Sequence, residues 1–260
     1  MRPASSTSAA TPLRHWLRAE PFALGMSSGF FGFFAHAGVM SVLEDEQLLP
    51  VRLAGSSAGA LVTGLWASGL PALRLRDELF ALRREHFWDP SPGLGLLRGE
   101  LFRAKLESLL PVGTFAACRA PLAISVYDVL ARTTRVLTDG PLAPAIQASC
   151  TVPGLFHPRW VERRPLLDGG IADRPGIDAF PAGTRVLHHH LASRSPWRSV
   201  GSASMAIPRR PNLTALVIEG LPRLGPFRLE EGVRAFDLAR RAAAAAMDRP
   251  VEDGLVRLEA

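Results

Sequence analysis

A short apolar run, Val51-Arg52-Leu53-Ala54, passes directly into Gly55-Ser56-Ser57-Ala58-Gly59 and then into Ala60-Leu61-Val62-Thr63-Gly64-Leu65-Trp66-Ala67. No other stretch restricts the fold as much. A four-residue apolar run ended by glycine reads as a buried strand, and the longer apolar run after it as a buried helix. A sharp turn between them crowds the backbone, so the residues two before and two after Ser57 must be tiny, and Gly55 and Gly59 meet that need. Such a turn projects the Ser57 hydroxyl into the open. The N-terminal amides of the next helix then favour negative charge developing beside it. The same pattern also fits a glycine-rich turn with no chemistry, so the serine needs partners elsewhere in the chain.

Two other segments supply candidates. Pro21 to Met26 reads as a first strand, and Ser27-Ser28-Gly29-Phe30-Phe31-Gly32 leads from it into a helix over Ala35 to Glu46. Small residues there let backbone N–H groups converge on an anion. The loop lacks the first glycine of a dinucleotide fingerprint and the Lys-Ser/Thr of a phosphate loop, so an oxyanion hole is the better fit. Its candidate donors are the amides of Ser28, Gly29 and Phe30. Much later, Pro165-Leu166-Leu167 runs into Asp168-Gly169-Gly170. A carboxylate at a strand end, followed by glycines, can approach another loop closely, although D-G-G alone is more often a simple turn.

The remaining chain repeats the alternation of strand and helix. Leu73 to Phe87, Leu101 to Leu110, Leu142 to Ser149 and Leu229 to Met247 read as helices. Leu122 to Val126 pairs with Thr134 to Leu137 as a hairpin, and Thr184 to His188 and Leu213 to Glu219 read as strands. This pattern predicts an α/β fold: a three-layer α/β/α arrangement around a mostly parallel sheet. We expect one domain over residues 19–250, a poorly ordered leader over 1–18 and a tail over 251–260.

Composition excludes several classes. The chain has 260 residues, 47% of them hydrophobic, enough for one large core. The net charge of +6 could favour anionic surfaces. However, Lys105 is the sole lysine and the arginines are scattered, which reads as compositional bias; with no nucleic-acid motif, no nucleic-acid partner is expected. Cys118 and Cys150 lack metal-ligand spacing and are too few for a disulfide framework, so we expect reduced thiols, no metal and no cofactor. The longest apolar stretch, Phe30 to Leu43, falls short of the roughly 20 residues needed to cross a bilayer. The N-terminus lacks an apolar signal core. The expected location is cytoplasmic, with any membrane contact peripheral. No pattern speaks to oligomeric state.

SSGFFG, GSSAG and DGG, in that order, together resemble the patatin-like phospholipase family. Ala148-Ser149-Cys150-Thr151-Val152-Pro153-Gly154-Leu155-Phe156-His157-Pro158 resembles the stretch preceding D-G-G/A in many members, and the helix after the first loop also fits. The resemblance covers about residues 22–176. It implies a serine acyl hydrolase, of the lipase or phospholipase A type, that cleaves lipid or small carboxylic esters. Ser57 would be its nucleophile and Asp168 its base, with Gly32, Gly55, Gly59, Gly169 and Gly170 as motif glycines. Two departures stand out. Ser27 and Ser28 occupy positions where the family usually has glycine, and Phe31 replaces a basic residue. Phe30, Phe31, Phe33 and Phe34 make the loop unusually apolar, and at least two of them are expected in the core.

The histidines admit a rival. His188, His189 and His190 follow Asp168, so the order Ser…Asp…His of an α/β-hydrolase triad is present. A strand terminus is the plainer reading of that run, and His36 reads as a structural polar group near the first loop. A non-catalytic lipid-binding protein of the same fold is the second alternative.

Overall fold

The computed structural model describes residues 11–192 and 205–260. The chain opens with α1 (Leu13–Ala19), β1 (Ala23–Met26), α2 (Phe33–Asp45), β2 (Arg52–Ser56), α3 (Ala58–Ala67) and α4 (Ala72–Phe80). It continues through β3 (Gly95–Leu97), α5 (Glu100–Leu109), β4 (Leu122–Asp128), β5 (Thr133–Leu137), α6 (Leu142–Ser149), β6 (Gly154–Phe156), β7 (Arg159–Val161) and β8 (Arg164–Asp168). It closes with β9 (Val186–Leu191), β10 (Leu213–Glu219), α7 (Glu231–Ala246) and β11 (Leu255–Glu259).

The central sheet runs β11-β10-β9-β1-β2-β4-β8-β7, and β5 also pairs with β4. The strands from β11 through β4 pair in parallel, while β5, β8 and β7 form the antiparallel end. This is the α/β class that the alternation of elements predicts. Helices α2 to α7 touch one another in one continuous layer on the sheet. Across the sheet, Ala23, Ala54, Ala123, Val186, Ala215 and Val217 are covered by Ile177 and Phe180. Among the described residues this second cover is the irregular segment after Asp168 rather than a helix.

Helix α3 is buried on every side, and its residues are almost all apolar. A helix that is hydrophobic all round has to be wrapped by its neighbours. It touches β1, β2, β4, α2, α4 and α6, a position that anchors the turn at its N-terminus.

Three boundaries differ from the sequence reading. The expected leader is ordered from at least Leu13, because α1 buries Leu13 and Leu17 in the main core. The expected tail contributes β11, a parallel edge strand beside β10. The helix expected over Leu73 to Phe87 ends at Phe80, and a 3-10 turn over Arg84–His86 follows. No glycine or proline marks that break, so periodicity alone carries the helix too far.

Candidate active site

The edge pairing of β4 brings the site together. Leu53 to Ser56 of β2 pair with Leu122 to Ser125 on one edge of β4. The opposite edge pairs with β5, over Ile124 to Asp128. From Val126 onward, the first edge is taken over by β8, beginning with Val126 opposite Asp168. Strands β2 and β8 therefore meet end to end along one edge of β4. Arg164 of β8 forms an ion pair with Asp128 of β4, which helps hold this register. The same pairing, reinforced by backbone amides, lowers the Asp128 carboxyl to about 2.

At the meeting point the Ser57 hydroxyl donates to Asp168 Oδ2 at 2.6 Å. Both residues are nearly buried, with 8% and 5% of their surface exposed. The other carboxylate oxygen, Oδ1, accepts from the Gly170 amide at 2.8 Å, which fixes the plane of the carboxylate. Ser57 itself has φ 52° and ψ −118°, a left-handed backbone that a non-glycine residue adopts only under constraint. Its surroundings impose that constraint. A Cβ at Gly55 would lie 2.5 Å from the Gly59 backbone, and one at Gly59 would overlap the Met26 carbonyl. Gly169 sits just as tightly against the Ser125 carbonyl, and Gly170 against Ser28.

A further clamp comes from Ser149. Its buried hydroxyl accepts from the Ser57 amide at 2.8 Å and donates to the Ser125 carbonyl at 2.7 Å. It thus ties the turn to β4 by its backbone. Sequence reasoning missed this role, although Ser149 lies in the stretch that resembles the family. Its neighbour Cys150 donates to the Ser57 carbonyl at 3.3 Å. Burial, and then the charge of Asp168, raise its thiol well above the usual value, so it remains a neutral thiol.

The first loop is only partly as expected. The Ser28 amide donates to the Arg174 carbonyl at 2.7 Å and so is already engaged. Ser28 is therefore withdrawn as an oxyanion donor, while Gly29 and Phe30 line the cleft beside Ser57. Ala58 lies there too, at the first position of α3, where a helix leaves its amides without intrahelical partners. Leu191 packs where side chains at Gly29 and Gly32 would project, which explains both glycines. Phe30, Phe31 and Phe33 line the cleft, Phe34 is fully buried in the core, and Phe33 also packs against that core.

The cleft holds a cavity of about 110 Å³. Leu61, Leu65, Leu79, Leu106, Leu155 and Phe156 are among its apolar walls. A Glu78–Lys105 ion pair of 2.8 Å supplies a polar element.

The triad residues are not brought to the serine. The run His188–His190 lies inside β9 rather than at its terminus, and all three side chains are buried. The His189 ring meets that of His36, with their Nδ1 atoms 2.8 Å apart, while His36 Nε2 meets the Ser27 carbonyl at 2.8 Å. His36 is the structural polar group that the sequence suggests. Burial lowers its pKa to about 4 and keeps the imidazole neutral. His157 meets the Ser91 carbonyl at 3.2 Å, away from the cleft lining. No group of three or more His, Cys, Asp or Glu residues suited to a metal occurs among the described residues. No described helix is long and apolar enough to cross a membrane.

An α/β sheet with a strained serine at the end of one parallel strand, hydrogen-bonded to a buried carboxylate, defines a class of serine–carboxylate proteins. The patatin-like phospholipase model matches residues 24–181, and the chain belongs to that family. Over 160 residues it is 33% identical to an uncharacterised NTE family protein of Mycobacterium bovis and to one of Mycobacterium tuberculosis. The match covers 58% of this chain but 43% of either relative, so the chain spans under half the length of these relatives. The crystal structure of VipD from Legionella pneumophila superposes with a TM-score of 0.64 at 13% identity. That match covers 88% of this chain and 67% of VipD, and it shows a shared fold.

Proposed function

We propose that this protein is a serine hydrolase of lipid carboxylic esters, working through a Ser57–Asp168 dyad and an acyl-enzyme. The single observation that carries this reading is the 2.6 Å bond from Ser57 Oγ to Asp168 Oδ2, with Ser57 in the lining of an apolar cleft. Asp168 takes the proton as Oγ attacks the ester carbonyl. A carboxylate is a weak base for a hydroxyl in water, with an ordinary pKa of about 3.9. Exclusion of water and donors aimed at the oxyanion favour the transfer, since one such donor is worth roughly 2.7–4 kcal/mol. The amides of Gly29, Phe30 and Ala58 are the donors we assign. The alcohol or lysolipid leaves with the proton from Asp168, and water then attacks the acyl group on Ser57. The cleft suits a phospholipid, lysophospholipid or glyceride acyl chain, and phospholipase A-type cleavage is the form we favour.

Labelling with a fluorophosphonate probe tests the reading. Wild type should label at Ser57 and turn over at least one member of a lipid ester panel, and Ser57→Ala should do neither. A folded wild-type protein that neither labels nor hydrolyses any member would leave only the non-catalytic alternative.

A further inference from the structure

Apolar residues are exposed beside the cleft mouth in a pattern that the ester chemistry does not use. The Phe227 ring is 65% exposed and packs 5.4 Å from Trp88. The Arg84 guanidinium lies over both rings, 5.5 Å from the Trp88 centroid and 5.1 Å from that of Phe227. Trp88 follows Phe87, a cleft wall, and Gly225, two residues before Phe227, lies against Phe30, another wall. Asp89 accepts from the amides of Gly99, Glu100 and Leu101, which ties this aromatic pair to the start of α5. On that tied segment Leu94 is 81% exposed, with Leu96 and Leu101 also exposed. Arg83, Arg84 and Arg98 are exposed among them.

We infer that this face, built from Trp88, Leu94, Leu96, Leu101 and Phe227 with its arginines, docks the protein on anionic lipid surfaces. The inference rests on the proposed lipid hydrolysis. Its chemistry is that of an interface. Leucine and aromatic side chains enter the acyl boundary, indole sits at headgroup depth, and arginines meet lipid phosphates. The local charge is complementary: Arg83, Arg84 and Arg98 are exposed here and Arg223 and Arg228 flank Phe227, against the exposed Glu85, Glu100 and Glu230, and each cation near an anionic bilayer contributes about 1 kcal/mol, about fivefold in partition. Docking this way would set the cleft mouth against the acyl chains, so that a lipid enters without crossing water.

Sedimentation with ether-linked vesicles, which have no ester to cleave, tests docking apart from catalysis. Wild type should bind phosphatidylcholine vesicles containing one third phosphatidylglycerol far better than pure phosphatidylcholine. Trp88→Ala/Phe227→Ala should lower that partition at least tenfold, and Arg83→Gln/Arg84→Gln should remove most of its dependence on anionic lipid. Leu94→Glu, at a side chain exposed enough to spare the fold, should weaken binding several-fold. Val51→Ala, an exposed residue at the opposite end of β2 from Ser57, should bind as wild type. Hydrolysis of soluble p-nitrophenyl butyrate should be unchanged in all of these variants. Equal binding by wild type and Leu94→Glu would overturn the docking face, as would a wild type that ignores anionic vesicles yet hydrolyses the soluble ester. Concentration-dependent dimers abolished by Leu94→Glu would also overturn it, by assigning the face to a second copy of the chain. Vesicle binding without any ester hydrolysis would instead retire the catalytic reading and leave the docking face standing.

Discussion

Ser149→Ala removes one hydroxyl and strands two backbone groups. The Ser57 amide loses its 2.8 Å acceptor, and the Ser125 carbonyl loses its 2.7 Å donor. The serine is fully buried, so bulk water does not reach either group directly. Each orphaned buried group costs about 1–3 kcal/mol, and partial relaxation puts the expected destabilisation at about 2–4 kcal/mol. The kinetic effect should be separable. Without the clamp, the φ 52° conformation of Ser57 has lost one of its restraints, so kcat should fall about 10- to 100-fold for a misplacement on the ångström scale. KM should change little, because the cleft walls are untouched. The assay is urea unfolding at pH 7.5 together with steady-state hydrolysis of a soluble ester. Ser68→Ala is the control: its hydroxyl is also buried but makes one local bond, to the Leu65 carbonyl, and its loss should cost about 1 kcal/mol or less. Equal unfolding free energies for the two variants would refute the reasoning.

Four further outcomes are expected. Asp168→Asn keeps an oxygen for the Gly170 amide but removes the base, and kcat should fall by about 10³–10⁴ with the fold intact by circular dichroism. Gly59→Ala drives a methyl into the Met26 carbonyl, so α3 must move off β1; a loss of about 1–3 kcal/mol in thermal unfolding, with activity abolished, is the expected result. His36 and His190 are buried and neutral, and burial lowers each to about 4 from an ordinary 6.5. The unfolded chain binds the extra protons between those values. Stability should therefore be full above about pH 6.5 and decline on acidification toward pH 4, by up to about 1.4 kcal/mol per pH unit for each histidine; identical urea midpoints at pH 7.5 and 5.5 would contradict this. Leu155→Trp adds bulk to the cleft wall and should move ester preference toward short acyl chains, read as the ratio of kcat/KM for butyrate and palmitate esters.

Much of the fold was legible because period and punctuation agree. Strand β2, the glycine-flanked serine and helix α3 follow one another with no intervening loop, and β4 with β5 announces itself as a hairpin. Ser57 and Asp168 were singled out from motif residues, and the family resemblance implied that they meet. The local pattern does not say how, because that depends on which edge of β4 receives β8, a choice made by tertiary pairing. Ser28 misled because a loop amide's availability depends on its partner, here the Arg174 carbonyl, which lies far along the chain. The histidine run read as a strand terminus because three polar residues argue against burial. In the fold β9 is an inner strand between β1 and β10 with both faces covered, and all three side chains are enclosed. The leader misled for the reverse reason. Its composition is polar overall, but Leu13 and Leu17 are one helical turn apart and share a buried side.

The abutment of β2 and β8 along β4 makes the spacing of the two key residues in sequence almost irrelevant. Strand β4 acts as a common rail, so length changes in the loops that flank it, away from α6 and its Ser149 clamp, leave the junction where it is. A single-residue deletion inside 122–128 is a different matter. It would shift one strand tip against the other by about 3.3 Å and turn alternate side chains to the opposite face. Length variation in such proteins is therefore expected in the loops that flank this strand, while the strand itself keeps a fixed count of residues.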